Sequence, residues 1–238
     1  MLKIDNICFS VKDASGEKKD ILKNICLDFE NGKTYVITGP NGSGKSTLAK
    51  VIMGILSPSC GEIFVDSKSI TTLSISERAK LGISYAFQKP VTIKGVKIRR
   101  LLNIASEKEN NVGEICDYLS KVGLCAKDYI DRPLDDKLSG GEQKRIELAL
   151  TLARNGKINI FDEPEAGIDI WSFEKLTDIF KGLKNSINII VSHQRKILEI
   201  ADEIIILEKG EIKKTGSFKD VEKYLDSAKC TKLGGGNE

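Results

Sequence analysis

Two hydrophobic periods trade places through this chain. Residues 2–11 and 21–29 alternate apolar with polar side chains, the period of a half-buried strand, and the charged, glycine-containing stretch 12–20 reads as the turn of an antiparallel hairpin. Residues 34–38, Thr-Tyr-Val-Ile-Thr, suit a buried strand, and residues 48–53 a helix. A turn at 57–61 leads to a strand at 62–66, then to a short helix at 76–81 with Ser74 or Ser76 as its cap. Strand character resumes at 82–87 and delivers Gln88 at its end. Residues 89–96, punctuated by Pro90 and Gly95, read as a loop suited to partner contacts.

From residue 97 to about 134 the spacing turns helical and the strands stop. Ile98, Leu101, Leu102 and Ala105 share one face, as do Ile115, Leu119 and Val122. Together with a helix at 141–154, this block predicts a helical insertion over about residues 90–155 of an otherwise alternating α/β chain. Strands at 158–161, 187–192, 204–207 and 211–215 and helices at 171–183 and 218–225 complete one domain over residues 1–226. Residues 227–238, with three successive glycines, read as a flexible tail.

Composition narrows the partners. With 37 basic against 34 acidic residues and a net charge of +3, the chain has no global field for nucleic acid or an anionic membrane. It has neither a signal-peptide start nor an apolar run near the ~18 residues a spanning helix needs. The expectation is a cytoplasmic protein with no direct membrane insertion. Cys8, Cys26, Cys60, Cys116, Cys125 and Cys230 form no CxxC pair and are expected to be thiols in a reducing compartment. A single histidine excludes a zinc motif built from spacing.

The chemistry concentrates between residues 39 and 47, Gly39-Pro40-Asn41-Gly42-Ser43-Gly44-Lys45-Ser46-Thr47, between a strand and a helix. Three glycines let backbone N–H groups approach oxygen closely, and the helix start adds unpaired N–H groups and the positive end of its dipole. Lys45 supplies a charge for outer phosphates and Ser46 a hydroxyl for Mg²⁺. This stretch predicts binding of a nucleoside triphosphate. Phe9 offers a face for a base, with an ordinary core phenylalanine as the competing reading. At residues 138–143, Ser139 caps a helix that opens on Gly140 and Gly141, a second anion-binding helix N-terminus.

These stretches, in this order over about residues 2–225, resemble the ATP-binding cassette (ABC) ATPases. The resemblance implies a P-loop NTPase fold: a mixed RecA-like core, an N-terminal antiparallel β-subdomain and an α-helical subdomain. It implies ATP and Mg²⁺ as cofactors and an ATP-dependent homodimer, monomeric at rest. In that arrangement one copy's phosphate loop and the other copy's Ser139-Gly140-Gly141 enclose each nucleotide. Carried onto this chain, it assigns Asp162 to Mg²⁺ through water, with Ser46 and Gln88 as direct ligands. Glu163 would polarise the attacking water, His193 would contact the γ-phosphate, Asp169 would signal across the dimer, and Phe9 would stack adenine. The residues agree: Asp162 and Glu163 end a buried strand, and His193 follows another.

Two stretches point further. Tyr85-Ala-Phe-Gln-Lys-Pro-Val and residues 162–173 resemble the SufC-type ATPase of iron–sulfur cluster assembly, although Glu165 and Trp171-Ser-Phe173 depart from its common forms. That resemblance implies a SufB/SufD-like scaffold protein as partner. The alternatives are the ATP-binding subunit of a membrane transporter, and a non-hydrolysing ATP-gated clamp.

Overall fold

The computed structural model describes residues 1–12, 16–167 and 170–224. The expectations placed on Asp169, on Cys230 and on the tail at 227–238 lie outside them. In chain order the elements are β1 (Leu2–Lys12), β2 (Lys18–Phe29), β3 (Thr34–Thr38), α1 (Lys45–Met53), β4 (Cys60–Val65), β5 (Lys68–Ser69), α2 (Ile75–Lys80) and β6 (Ile83–Ala86). Then follow β7 (Ile93–Lys97), α3 (Ile98–Ser106), α4 (Val112–Lys121), α5 (Ala126–Tyr129), β8 (Pro133–Leu134) and α6 (Gly140–Arg154). The chain continues through β9 (Ile158–Asp162), α7 (Ile170–Gly182), β10 (Ile187–Val191), α8 (Arg195–Leu198), β11 (Glu203–Glu208) and β12 (Glu211–Gly216).

Six strands build the central sheet in the order β12-β11-β3-β10-β9-β6, parallel except for the β11–β12 hairpin at one edge. Its inner strands are apolar on both faces because both faces are covered. Tyr35, Ile37, Ile160, Ile189, Val191, Ile205 and Leu207 point to the side holding α1 and the second sheet. Val36, Phe161, Ile190, Ile204 and Ile206 point to the side where α3, α4, α6 and α7 pack. Burying a leucine- or isoleucine-sized side chain contributes about 1.5–3 kcal/mol, so these two cores hold the strand ends that carry the candidate chemistry. Strand β3, which leads into the glycine loop, is an inner strand of the sheet with β11 and β10 on its flanks.

A four-stranded antiparallel sheet, β2-β1-β4-β5, lies against α1. Asp66 and Ser67 both adopt positive φ (48° and 64°), the backbone that a two-residue hairpin turn requires between β4 and β5. Ser74 is the cap of α2, and Glu77 closes a capping box with it.

Two expectations need correction. Strands do not stop at residue 97: β7 pairs with β8 through Ile93↔Leu134 and Lys97↔Pro133. Two rungs separated by an irregularity are too short for a period-2 signal, and residues 93–97 lie in the stretch expected to be loop. The helix after the glycine loop opens at Lys45, as expected, so Lys45, Ser46 and Thr47 form its first turn. Cys8 and Cys60, paired across β1 and β4, are joined as a disulfide, while Cys26, Cys116 and Cys125 are free. The spacing of cysteines along the sequence carries no information about which strands become neighbours.

Candidate functional site

The loop from Gly39 to Gly44 leaves the C-terminal end of β3 and turns sharply into α1. Gly39 has φ 140°, and a Cβ there would stand 1.9 Å from the Leu207 carbonyl oxygen, so no larger residue fits beside β11. No side chain caps α1 at Gly44. The first-turn N–H groups at Lys45, Ser46 and Thr47 therefore sit at the mouth of the loop, where an anion is favoured. Pro40, Asn41 and Gly42 are exposed, while Ser43 is buried with an Oγ that has no partner.

Lys45 folds back over the loop and donates to the carbonyls of Gly39 and Pro40 at 2.8 and 2.9 Å. Burial depresses its pKa, and the carboxylates of Glu163 and Asp162 oppose that depression. This ammonium is thus held among phosphate-loop carbonyls with two acids nearby.

Asp162, at the end of β9 and 1% exposed, is a hub. Its Oδ1 accepts from Ser46 Oγ at 2.8 Å and its Oδ2 from the Tyr85 hydroxyl at 2.8 Å. The phenol is pushed far above its ordinary range by burial and by the adjoining carboxylate, which keeps it a donor. Glu163 follows in a left-handed backbone conformation, φ 47°, pinned by its N–H to the Val191 carbonyl at 3.0 Å. A non-glycine residue there stores strain of about 1–3 kcal/mol, and that conformation turns Glu163 out of the strand direction. Its Oε2 accepts from Gln88 Nε2 at 2.6 Å.

A hydroxyl, a carboxylate and the Gln88 amide oxygen, left over because the amide nitrogen faces Glu163, are hard oxygen donors that fit Mg²⁺. The chemistry of the donor set matches the metal expected from sequence.

Glu165 is a buried carboxyl that sequence reading had marked only as a departure. One oxygen accepts from Ser192 Oγ at 2.5 Å and the other has no partner. Burial raises its pKa, with the Ser192 bond and the neighbouring His193 acting the other way. Ser192 Oγ also accepts the N–H of Gln194 at 3.1 Å, so Glu165 is tied to the turn that carries the exposed His193.

Other expected residues are more distant. Phe9 is half-buried on the rim of the α1-side core, opposite Leu22 in β2. Leu22 in turn lies against Gly44, so the ring stands one side chain away from the phosphate loop. Ser139 caps α6 in a capping box with Glu142. Bonds from the Tyr129 hydroxyl and from Ser139 hold the Glu142 carboxyl down at about 2. Ser139 and Gly140 are exposed, and Gly141 packs against the backbone of Gly167. Among the described residues, no hydrogen bond joins Ser139, Gly140 or Gly141 to the Gly39–Thr47 loop. Within one chain the structure gathers Lys45, Ser46, Gln88, Asp162 and Glu163; the second helix N-terminus stands apart.

Tyr85 and its bond to Asp162 went unseen in the sequence. The available signal was a tyrosine in a strand whose other residues are apolar or small, and a buried phenol hydroxyl requires a partner.

A match to the ABC transporter family spans residues 22–166. An uncharacterised ABC transporter ATP-binding protein of Methanocaldococcus jannaschii is 37% identical over 226 residues, covering 90% of each chain. The iron–sulfur cluster assembly protein SufC of Plasmodium berghei is 36% identical over 86% of this chain and 61% of its own length. Among solved structures, a dimeric ATP-binding cassette in a post-hydrolysis state bound to ADP and Pi superposes with a TM-score of 0.82 at 26% identity. The superposition covers 91% of this chain and 98% of that one. With an ABC cassette fold, a phosphate loop packed against Asp162 and relatives aligned along nearly its whole length, this chain belongs to the ABC transporter family of ATP-binding proteins.

Proposed function

We propose that this chain hydrolyses ATP between two head-to-tail copies and uses the resulting motion to drive an iron–sulfur cluster assembly scaffold. The observation that carries the hydrolytic half is the Gln88–Glu163 bond at 2.6 Å beside the Ser46–Asp162 bond at 2.8 Å. In this reading Asp162 is the carboxylate on the metal side and Glu163 the one that meets the water.

In this reading Lys45 and the first-turn N–H groups of α1 hold the outer phosphates, and Phe9 gives the adenine a face. Ser46, Gln88 and Asp162 hold Mg²⁺, which when bound neutralises charge on the phosphate oxygens. Glu163 takes the proton of the attacking water as its oxygen approaches the γ-phosphorus, assistance typically worth 10²–10⁴-fold. His193 donates to the γ-phosphate, and Ser139, Gly140 and Gly141 of the second copy close over it. The presence of both Glu163 and His193 speaks against a clamp that binds without turnover.

The scaffold half rests on the SufC relatives and on the segments around Tyr85 and Asp162 that resemble them. Val91 and Ile93, 52% and 40% exposed in the segment after Gln88, give a partner an apolar foothold next to the Gln88–Glu163 pair. A second reading, the ATP-binding subunit of a membrane transporter, is favoured by the relative from M. jannaschii, which is described as such. No helix among the described residues is long and apolar enough to cross a membrane. Affinity purification from the native host, followed by mass spectrometry, separates the two. Recovery of a SufB/SufD-like protein supports the first reading, and recovery of a polytopic membrane protein refutes it.

A further inference from the structure

Helix α6 carries two charged side chains on the face turned into the protein. The Lys144 side chain is wholly buried and that of Glu147 is 14% exposed, and Lys144 Nζ lies 3.1 Å from Glu147 Oε2. Both reach the same residue of another element. Glu147 Oε1 accepts the Phe87 N–H at 2.7 Å, and Lys144 Nζ donates to the Phe87 carbonyl.

A buried ion pair is a costly way to fill space, because apolar residues of similar volume usually pack as well or better. What this pair does that apolar residues could not is satisfy both polar groups of one backbone residue. Phe87 needs it. The β6–β9 ladder ends at Ala86↔Phe161, and the Phe87 side chain is 36% exposed, so neither ladder nor core fixes it. The next residue is Gln88, whose amide meets Glu163.

We propose that Lys144 and Glu147 are positioning residues for Gln88. They tie the helix whose N-terminus carries Ser139 to the carboxamide that meets the proposed catalytic base. A shift of α6 moves the Phe87 backbone, and through it Gln88, so closure of Ser139 on one nucleotide is felt at the other. This rests on the roles proposed above for Gln88, Glu163 and Ser139.

The test is a double-mutant cycle between Lys144→Met/Glu147→Leu, chosen to keep the volume, and Gln88→Ala. Three quantities are read. They are the affinity for a fluorescent ATP analogue in Mg²⁺ and in EDTA, ATP turnover, and hydrogen exchange of the amides at 87–88, with a thermal melt as control for folding. The clamp variant should still melt cooperatively, keep its affinity in EDTA, and exchange the 87–88 amides faster. Its Mg²⁺-dependent gain in affinity should fall by about tenfold, the usual loss when the support behind a metal ligand is removed. In the Gln88→Ala background the clamp substitutions should cost nothing more. Equal losses in both backgrounds, or unchanged exchange at 87–88, overturn the proposal. Wild type without turnover but with a coupled affinity cycle would sink the hydrolysis reading and leave the clamp standing. Normal turnover with an additive cycle would sink the clamp alone.

Discussion

Replacing Glu163 by glutamine tests the proposed chemistry with little structural disturbance. Glu163 Oε2 accepts from Gln88 Nε2 at 2.6 Å, and the amide oxygen of the replacement side chain can accept the same bond. The left-handed backbone at this residue, φ 47°, is set by the N–H bond to Val191, which the substitution does not touch. What disappears is one negative charge and the capacity to take a proton. General-base assistance of 10²–10⁴-fold corresponds to about 3–5 kcal/mol of barrier at 1.36 kcal/mol per decade, so kcat should fall by that factor. Binding should move the other way or not at all. Glu163 helps keep Lys45 charged, but it also repels the phosphates, and a guest with several negative charges gains more from losing the acid than Lys45 loses. The assay pairs phosphate release with equilibrium binding of a fluorescent ATP analogue. Turnover within threefold of wild type, or a loss of activity matched by an equal loss of affinity, would show that Glu163 is not the base.

Three further substitutions probe the frame. Tyr85→Phe keeps the ring that packs 4.8 Å from Phe87 but removes a donor from a carboxylate that is 1% exposed. It should cost about 1.5–3 kcal/mol in urea unfolding, and an unchanged midpoint would deny the bond. Arg78, 1% exposed, donates to the carbonyls of Val51 and Ile52 at the end of α1 and to those of Thr71 and Leu73. Arg78→Met leaves four acceptors short, two buried and two half-buried, and should destabilise by roughly 3 kcal/mol or more; a loss below about 1 kcal/mol would contradict that role. Glu165→Gln tests a pH term. Burial raises this carboxyl's pKa in the folded protein, so the folded state binds more protons than the unfolded one and stability falls as pH rises through the folded-state value. The glutamine variant should lack that fall, gaining on wild type at neutral pH relative to acid. Parallel pH–stability curves for the two proteins would refute it.

The parts of this molecule that were legible in the sequence are those whose cause is local. Strands β3, β9, β10 and β11 announce themselves because burial on both faces demands unbroken apolar runs. The sharp turn from β3 into α1 was readable because Gly39 and its neighbours meet a backbone requirement that few other residues can satisfy. Contacts between distant segments were not readable. Tyr85 meets Asp162 across 77 positions and Arg78 meets Val51 across 27, and no periodicity encodes either. Lys144 sits at a helix position that an apolar pattern would assign to the core, a mismatch visible in the sequence whose resolution, the Phe87 carbonyl, is 57 residues away. Cys8 and Cys60 became neighbours only through the β1–β4 pairing. Phe9 remained divided between two readings for a physical reason: it is half-buried, with one side in the core and the other available.

The same contacts bear on why a second copy would be needed. Three of the side chains assigned to the phosphates and Mg²⁺ already have partners within the chain: Lys45 the loop carbonyls, Ser46 the Asp162 carboxylate, Gln88 the Glu163 carboxylate. Nucleotide binding therefore exchanges charge-assisted hydrogen bonds for others of the same kind, and only the difference between the old bond and the new one is gained. Helix ends behave differently, both at the uncapped first turn of α1 and at the α6 N-terminus. Gly140 follows the cap and is exposed, and the helix end it opens carries a partial positive charge that a phosphate can meet without breaking a bond in the chain. A nucleotide held by both surfaces adds the α6 end to the α1 end, while the side-chain bonds are merely exchanged. On that reasoning pairing should follow ATP, and sedimentation of Glu163→Gln should give a dimer with ATP and a monomer without it. A stable dimer in the absence of nucleotide would show that the protein surfaces alone supply the association energy.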